Sequence, residues 1–184
     1  DHVSRKSHLA DKLQEFSKRL LKNYHSQTFP SILLSNIRSL KPKLDEVTAL
    51  LQTIKPDFMA ICESWLTDAT CNEEVHVTNY DLFRNDRKSE KRGGGVCVYT
   101  SSQIRSTELQ ADSNSPSFLE CLWNFLPQNN VIVLSIYVPP GLTTDQTRET
   151  IAYIERSADF FLAKYTDSKL IIAGDLYSLP TCDL

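Results

Sequence analysis

Short apolar runs, each bounded by turn-forming or charged residues, alternate with only two longer segments of helical periodicity. Short runs rich in Val, Ile, Leu, Phe and Tyr predict buried strands, whereas apolar residues spaced three and four apart predict helices. Many strands with few helices favour a layered α/β structure over strands and helices alternating around one parallel sheet. The predicted strands are residues 32–34, 57–62, 80–84, 95–100, 118–125, 131–137 and 169–173, and the predicted helices are residues 43–54 and 145–165.

The size and charge of the chain narrow its possible functions. With 184 residues, of which 41% are hydrophobic, it can bury one substantial core, so we expect a single main domain. Its net charge of −3 provides no overall cationic field. A polyanionic partner would therefore have to be bound by a local basic patch or through a metal ion.

The cysteines and the apolar runs bear on localisation. The chain has 5 cysteines, scattered and without zinc-ligand spacing, which favours a reduced, intracellular protein. The start of the chain is charged, and every apolar run is too short to span a bilayer. We therefore expect neither secretion nor a membrane partner.

Residues 1–30 precede the main domain and have their own pattern. Leu9, Leu13, Phe16, Leu20 and Leu21 lie at helical spacing within residues 7–23. This predicts an amphipathic helix followed by a linker. Contact with a neighbouring part of the protein explains such a stripe more simply than membrane or partner binding, so we assign the segment no function.

Four polar residues follow apolar strands at the point where each strand ends. They are Asn36, Glu63, Tyr137 and Asp175. Strands often end in polar residues because loops are solvated, so any one of these positions alone carries little weight. Together they predict one rim where carboxylates could meet solvent or a hard cation.

Other catalytic motifs find little support in the sequence. It contains no serine nucleophile elbow, dinucleotide loop or Walker motif, and residues 92–95 (RGGG) indicate a turn rather than a phosphate loop. None of the 4 histidines follows one of the four strands, so a histidine-based nucleophilic relay is not supported. Arg87 and Arg92 belong to a basic cluster within residues 84–92, and Arg38 follows Asn36. A solvated loop explains the cluster about as well as phosphate contact does.

Several ordered stretches together resemble the exonuclease-endonuclease-phosphatase superfamily, and most of all the endonuclease domain of non-LTR retrotransposons. The similarity runs over residues 31–184. Its strength comes from the order and spacing of the motifs, since any single motif would be weak. The stretches are residues 35–40 (SNIRSL), 61–66 (ICESWL), 84–87 (RNDR), 92–96 (RGGGV), 136–140 (IYVPP) and 173–176 (AGDL).

The resemblance implies two packed β-sheets flanked by helices, here as an incomplete four-layer sandwich, and a phosphodiesterase that uses Mg²⁺, with Mn²⁺ as the alternative. Glu63 would bind the metal, and Asn36 would position the phosphate or the metal site. Tyr137 would stabilise the charged transition state, and Asp175 would orient or deprotonate the attacking water. Arg38, Arg87 and Arg92 would contact the nucleic acid.

The same resemblance implies a cellular role. DNA would be the substrate, one strand of which is nicked to prime reverse transcription. The parent polyprotein would carry a reverse transcriptase domain, and a functional protein would act in the nucleus. A small phosphate ester is a less favoured substrate, because the SNIRSL and CESWL stretches match the retroelement members better.

Two departures from the family pattern affect the expected activity. Tyr177 stands where the family carries asparagine, and one phenolic hydroxyl cannot directly replace an amide that both donates and accepts. The family's C-terminal strands and Asp-His pair do not follow in this sequence, so we expect a domain that is incomplete at its C-terminus and inactive or nearly so. The alternative function is a noncatalytic remnant that acts as a binding or interaction module.

Overall fold

The structure, a computed structural model, describes residues 29–88, 92–111 and 115–176. The predicted N-terminal helix and Tyr177 lie outside these residues. The strands are β1 (Ile32–Asn36), β2 (Phe58–Cys62), β3 (Tyr80–Asn85), β4 (Val96–Ser101), β5 (Thr107–Leu109), β6 (Glu120–Leu126), β7 (Val131–Tyr137) and β8 (Lys169–Asp175). The α-helices are α1 (Leu44–Ile54) and α2 (Thr144–Lys164), and 3-10 turns occur at Lys41–Lys43 and Asn72–Val75.

The strands form two four-stranded sheets. Sheet 1 has the order β1-β2-β4-β3, and sheet 2 has the order β5-β6-β7-β8. Each sheet contains one parallel pair, β1 with β2 and β7 with β8, whereas the other neighbours are antiparallel. The prediction of two packed sheets flanked by helices is therefore confirmed.

Side chains alternate between the two faces of each sheet and thereby build the layers. In β2, Phe58 and Ala60 face the core between the sheets, whereas Met59 and Ile61 face α1. The outer face of sheet 2 packs against α2, where the Trp123 ring lies 5.1 Å from that of Phe161. The order of layers is therefore α1, sheet 1, sheet 2 and α2.

Local signals fix the ends of the two helices. Thr143 and Gln146 form a capping box at the start of α2, with the Thr143 backbone N donating to Gln146 Oε1 at 3.0 Å and the Gln146 backbone N donating to Thr143 Oγ1 at 3.2 Å. At the end of α1, Lys55 has a left-handed φ of 52° and Pro56 follows it. Neither described helix has the length and apolar character that a membrane span requires.

Strands β6 and β5 depart most from the sequence prediction, whereas the other strand ends lie within two residues of it. The strand expected over residues 118–125 begins at Glu120, because Leu119 donates its backbone N–H to the Pro116 carbonyl at 2.9 Å and so closes a turn. The three-residue strand β5 was not predicted, since its sequence TEL is too short and too polar to give a strand signal.

The parallel pairs lie beside each other at one side of the sandwich. Strand β8 contacts both β1 and β2 of the other sheet. Its residues are mostly half-buried, whereas β2 and β7 are buried throughout. Within the described part of the chain, β1 and β8 each pair with a single strand, so both are sheet edges there.

Candidate active site

The carboxyl ends of the parallel pairs place the predicted site residues at one rim. Asn36 is the last residue of β1, and Glu63 directly follows β2. On sheet 2, Tyr137 and Asp175 end β7 and β8 and lie opposite each other in the strand register. Because the strands of a parallel pair end on the same edge of a sheet, and because β8 contacts β1 and β2, these ends meet.

The Asn36 side chain joins the two sheets at this rim. Its Nδ2 atom donates to Asp175 Oδ2 at 2.8 Å and to Glu63 Oε1 at 3.4 Å. Two carboxylates that are distant in the sequence therefore lie around one amide nitrogen. The structure brings Asn36, Glu63 and Asp175 together as predicted, and their chemical roles remain predictions.

Tyr137 lies beside Glu63 at the base of the rim. Its side chain is buried, and Glu63 and Arg87 are the charged groups that act on its hydroxyl. Burial raises the pKa of Tyr137, the Glu63 charge raises it further, and Arg87 acts in the opposite direction. The phenol is therefore neutral at physiological pH and can donate a hydrogen bond towards the rim.

Cys62 precedes Glu63 but does not have the character of a nucleophile. Its Sγ donates to the Ile136 carbonyl at 3.3 Å, and burial raises the pKa of the thiol to about 11. A thiol that keeps its proton at neutral pH is a poor nucleophile. Its role is to bridge the two sheets behind the rim.

Backbone hydrogen bonds hold the rim loops together. The Ser39 N–H donates to the Glu63 carbonyl at 2.8 Å, and the Ser64 N–H donates to the Gly95 carbonyl at 3.1 Å. Glu63 has a left-handed φ of 55°. The glycine run bends beneath these loops, and a methyl group on Gly95 would lie 2.6 Å from Ser64 Oγ.

A buried ion pair between Arg87 and Glu120 forms the floor of the site. Arg87 Nε donates to Glu120 Oε1 at 2.6 Å, and its Nη2 donates to Glu120 Oε2 at 3.2 Å. The guanidinium also lies 5.6 Å from the centre of the Tyr137 ring, and a methyl group on Gly94 would overlap it. Sequence analysis missed Glu120, for which a glutamate opening the apolar run ECLWNFL was the available signal.

The three arginines predicted to contact nucleic acid occupy different environments. Arg38 is exposed and lies two residues beyond Asn36, with a left-handed φ of 48°. Arg92 is exposed and stacks on Trp65, its guanidinium carbon 4.8 Å from the ring centre. Arg87 instead donates two hydrogen bonds to Glu120.

A cleft of about 670 Å³ opens beside the rim. Glu63, Arg87 and Tyr137 line one part of it, and Trp65 and Arg92 line another. Trp65, for which sequence analysis gave no role, donates from Nε1 to Glu63 Oε2 at 3.2 Å. The cleft is therefore continuous with the rim through Glu63.

The donor atoms at the rim suit a hard divalent cation. No group of three or more His, Cys, Asp or Glu side chains with metal-binding geometry occurs within residues 29–88, 92–111 and 115–176. Glu63 and Asp175 nevertheless present carboxylate oxygens around one amide. Since Mg²⁺ is often held by one or two carboxylates together with water and substrate phosphate, these residues fit that ion.

The fold is a layered sandwich with an acidic rim and an adjoining cleft, and comparison with known families identifies its class. The model of the endonuclease/exonuclease/phosphatase family matches residues 33–183. The chain belongs to this family. A search of curated protein sequences found no match.

Solved structures with the same fold share little sequence with this chain. An AP endonuclease from Archaeoglobus fulgidus is 20% identical, with a TM-score of 0.57, covering 80% of this chain and 57% of that one. The 3' phosphatase NExo from Neisseria, bound to a product DNA hairpin, is 19% identical, with a TM-score of 0.56 and coverages of 79% and 57%. The APE2 catalytic domain of Xenopus laevis is 14% identical, with a TM-score of 0.58 and coverages of 79% and 58%. The chain thus spans less than two thirds of these proteins.

Proposed function

We propose that this chain is part of a Mg²⁺-dependent DNA phosphodiesterase similar to the endonuclease of non-LTR retrotransposons. The observation that carries the proposal is the placement of the Asn36 amide between Glu63 and Asp175. These residues come from three strands in two sheets and form an acidic rim suited to a phosphate-bound cation. The DNA-processing proteins that share the fold support DNA as the substrate.

Glu63 and Asp175 would hold the metal ion, with Mn²⁺ as the alternative to Mg²⁺. When bound, the ion would offset negative charge on the phosphoryl oxygens. Asn36 fixes the orientation of both carboxylates through its amide nitrogen. Asp175 would also orient the attacking water and accept its proton.

Tyr137 would donate a hydrogen bond to a phosphoryl oxygen as negative charge develops there. The charges of Glu63 and Arg87 already act on its hydroxyl, and the Arg87 guanidinium lies 5.6 Å from the centre of its ring. Arg87 is itself held by Glu120, so the cation over the Tyr137 ring has a fixed position. Because the Tyr137 side chain is also buried, its hydroxyl is held at the rim. A preorganised donor of this kind stabilises the transition state more than it stabilises the substrate.

We further propose that this chain cleaves DNA slowly or not at all. Its histidines are residues 2, 8, 25 and 76, and the only one that is described, His76, is exposed and follows the Asn72–Val75 turn. No histidine is therefore placed at the described rim to assist proton transfer. This favours the second candidate function, a noncatalytic module that retains binding.

Nicking of supercoiled plasmid in Mg²⁺ tests the first proposal. Any nicking by the wild-type chain should fall by more than about 100-fold in Glu63→Gln, because a metal ligand is lost while the side-chain shape is kept. Glu73→Gln, which changes an exposed glutamate in the Asn72–Val75 turn, is the matched control. Measurable nicking by the wild type that is equal in Glu63→Gln would exclude the proposed site.

Metal binding gives a second readout that needs no catalysis. Water-proton relaxation should detect Mn²⁺ bound to the wild-type chain, and Glu63→Gln and Asp175→Asn should each weaken that binding. Unchanged binding in both variants would contradict the assignment of the rim. DNA binding that survives both substitutions without metal would instead favour the noncatalytic module.

The coding sequence downstream tests the retroelement origin. We expect an Asp-His pair and then reverse transcriptase motifs in the parent polyprotein. A parent gene without polymerase motifs would contradict this part of the proposal. Nuclear localisation of a functional parent protein is expected for the same reason.

A further inference from the structure

Trp65 and Arg92 form a flat surface beside the rim. The guanidinium carbon of Arg92 lies 4.8 Å from the centre of the indole ring. Arg92 is exposed and Trp65 is half-buried. The same indole donates from Nε1 to Glu63 Oε2 at 3.2 Å. We call this surface the Trp65–Arg92 platform, and it is physically joined to a proposed metal ligand.

The backbone around Trp65 fixes the position of the platform. Trp65 has a left-handed φ of 53°, and its N–H donates to the Gly94 carbonyl at 3.0 Å. A non-glycine residue in the left-handed region is held there by its surroundings. The indole is thus preorganised before any ligand arrives.

Apolar side chains line the cleft beside the platform. Phe118, Pro139 and Leu142 contribute to the cleft of about 670 Å³ that also contains Trp65 and Arg92. Glu63 lies in the same cleft. A ligand that fills it would combine a flat apolar group with a phosphate close to the carboxylates, which is the chemistry of a nucleotide.

The charges in the cleft favour an anionic strand on the platform side. Arg87 is neutralised by Glu120. Among the described residues, no carboxylate forms an ion pair with Arg92. Its guanidinium can therefore meet a phosphate without competition from any carboxylate that the structure describes, and because it is planar it can stack on a base.

We propose that the Trp65–Arg92 platform binds an unpaired nucleobase of the DNA strand whose phosphate lies at the rim. The inference rests on the proposed function and specifies its substrate as a strand with an unpaired base beside the cleavage site. A base within a duplex already stacks on both neighbours, so only an unpaired base offers a face to an indole or guanidinium. Stacking of this kind tolerates any base, so it selects strand structure rather than sequence.

Binding in EDTA tests the platform without requiring hydrolysis. The probe is a fluorescein-labelled single-stranded DNA oligonucleotide of mixed sequence, and the readout is its anisotropy on titration with the full chain. Trp65→Ala should weaken binding by between about 5-fold and about 150-fold, the range for loss of one base-aromatic stack. Trp65→Phe keeps an aromatic face and should restore most of the affinity.

The matched controls separate stacking from charge and from folding. Arg92→Lys keeps the positive charge but loses the planar guanidinium, so it should weaken binding less than Arg92→Ala, which loses both. Trp123→Phe alters the other tryptophan, which is buried against α2, and should leave the affinity unchanged. It also leaves Trp65 as the single tryptophan, whose fluorescence the unlabelled strand should quench.

Binding of duplex DNA of the same sequence tests whether the platform requires an unpaired base. It should bind more weakly than the single strand and quench Trp65 less. Equal or tighter duplex binding, or affinity unchanged in Trp65→Ala, would overturn the inference. Failure of the proposed function would look different: Glu63→Gln would leave metal binding unchanged, whereas single-strand binding would still depend on Trp65.

Discussion

The ion pair between Arg87 and Glu120 links the glycine turn to the floor of the cleft, and Glu120→Ala removes one partner. The side chains of Arg87 and Glu120 are only 17% and 6% exposed. After the substitution, two guanidinium donors lose their acceptor in a place that water reaches poorly. An unpaired buried charge is much less stable than either the intact pair or an apolar replacement.

The size of the effect follows from that burial. Removing one partner of a buried pair destabilises a protein by about 3–5 kcal/mol, whereas an exposed pair contributes about 0–1 kcal/mol. Arg87 keeps some exposure and lies over the Tyr137 ring, so we expect the lower end, about 3 kcal/mol. Since domains of this size are stable by about 5–15 kcal/mol, the loss is large enough to measure.

Urea denaturation followed by circular dichroism is the assay. Glu120→Gln keeps an acceptor for Arg87 Nε and should lose less stability than Glu120→Ala. Arg87→Met combined with Glu120→Leu removes both charges and should lie close to wild type, since apolar replacement of a buried pair is often neutral. A loss of less than about 1 kcal/mol in Glu120→Ala would refute the reasoning, because it would show that the pair behaves as an exposed one.

Two further predictions concern the second sheet. Gly174→Ala places a methyl group onto the Ile136 carbonyl, so β8 must shift; we expect a loss of about 1–3 kcal/mol in urea denaturation, and wild-type stability would contradict the close approach. Burial raises the pKa of Cys121 to about 11 and that of Tyr153 to about 12. Unfolded thiols ionise near pH 9 and unfolded phenols near pH 10, so stability is complete below about pH 9 and falls as the pH rises further. For Cys121 the loss is at most about 3 kcal/mol, and Cys121→Ala should reduce the fall in Tm between pH 9 and 11 without abolishing it, because burial also raises the pKa of Cys62 and Cys97. A Tm that stays constant from pH 8 to 11 would contradict this prediction.

Much of the secondary structure could be predicted because its signals are local. The apolar run that forms β2 and the periodic segment that forms α2 were placed to within one residue at each end. The start of β6 was misplaced because a turn at Pro116 takes up residues whose composition suits a strand. The short strand β5 exists only because β6 pairs with it along one edge.

The order of polar residues after apolar strands was encoded in the sequence, and with it the composition of the candidate site. Only tertiary structure decided which of these side chains touch. Asn36 and Asp175 are separated by 139 residues, and Arg87 and Glu120 by 33. The periodicity of a sequence predicts which side of a helix or strand is buried. Contacts between residues that are distant in the sequence depend instead on how the two sheets pack together. The paired carboxylates, the buried ion pair and the platform next to Glu63 therefore appear only once the sandwich has formed.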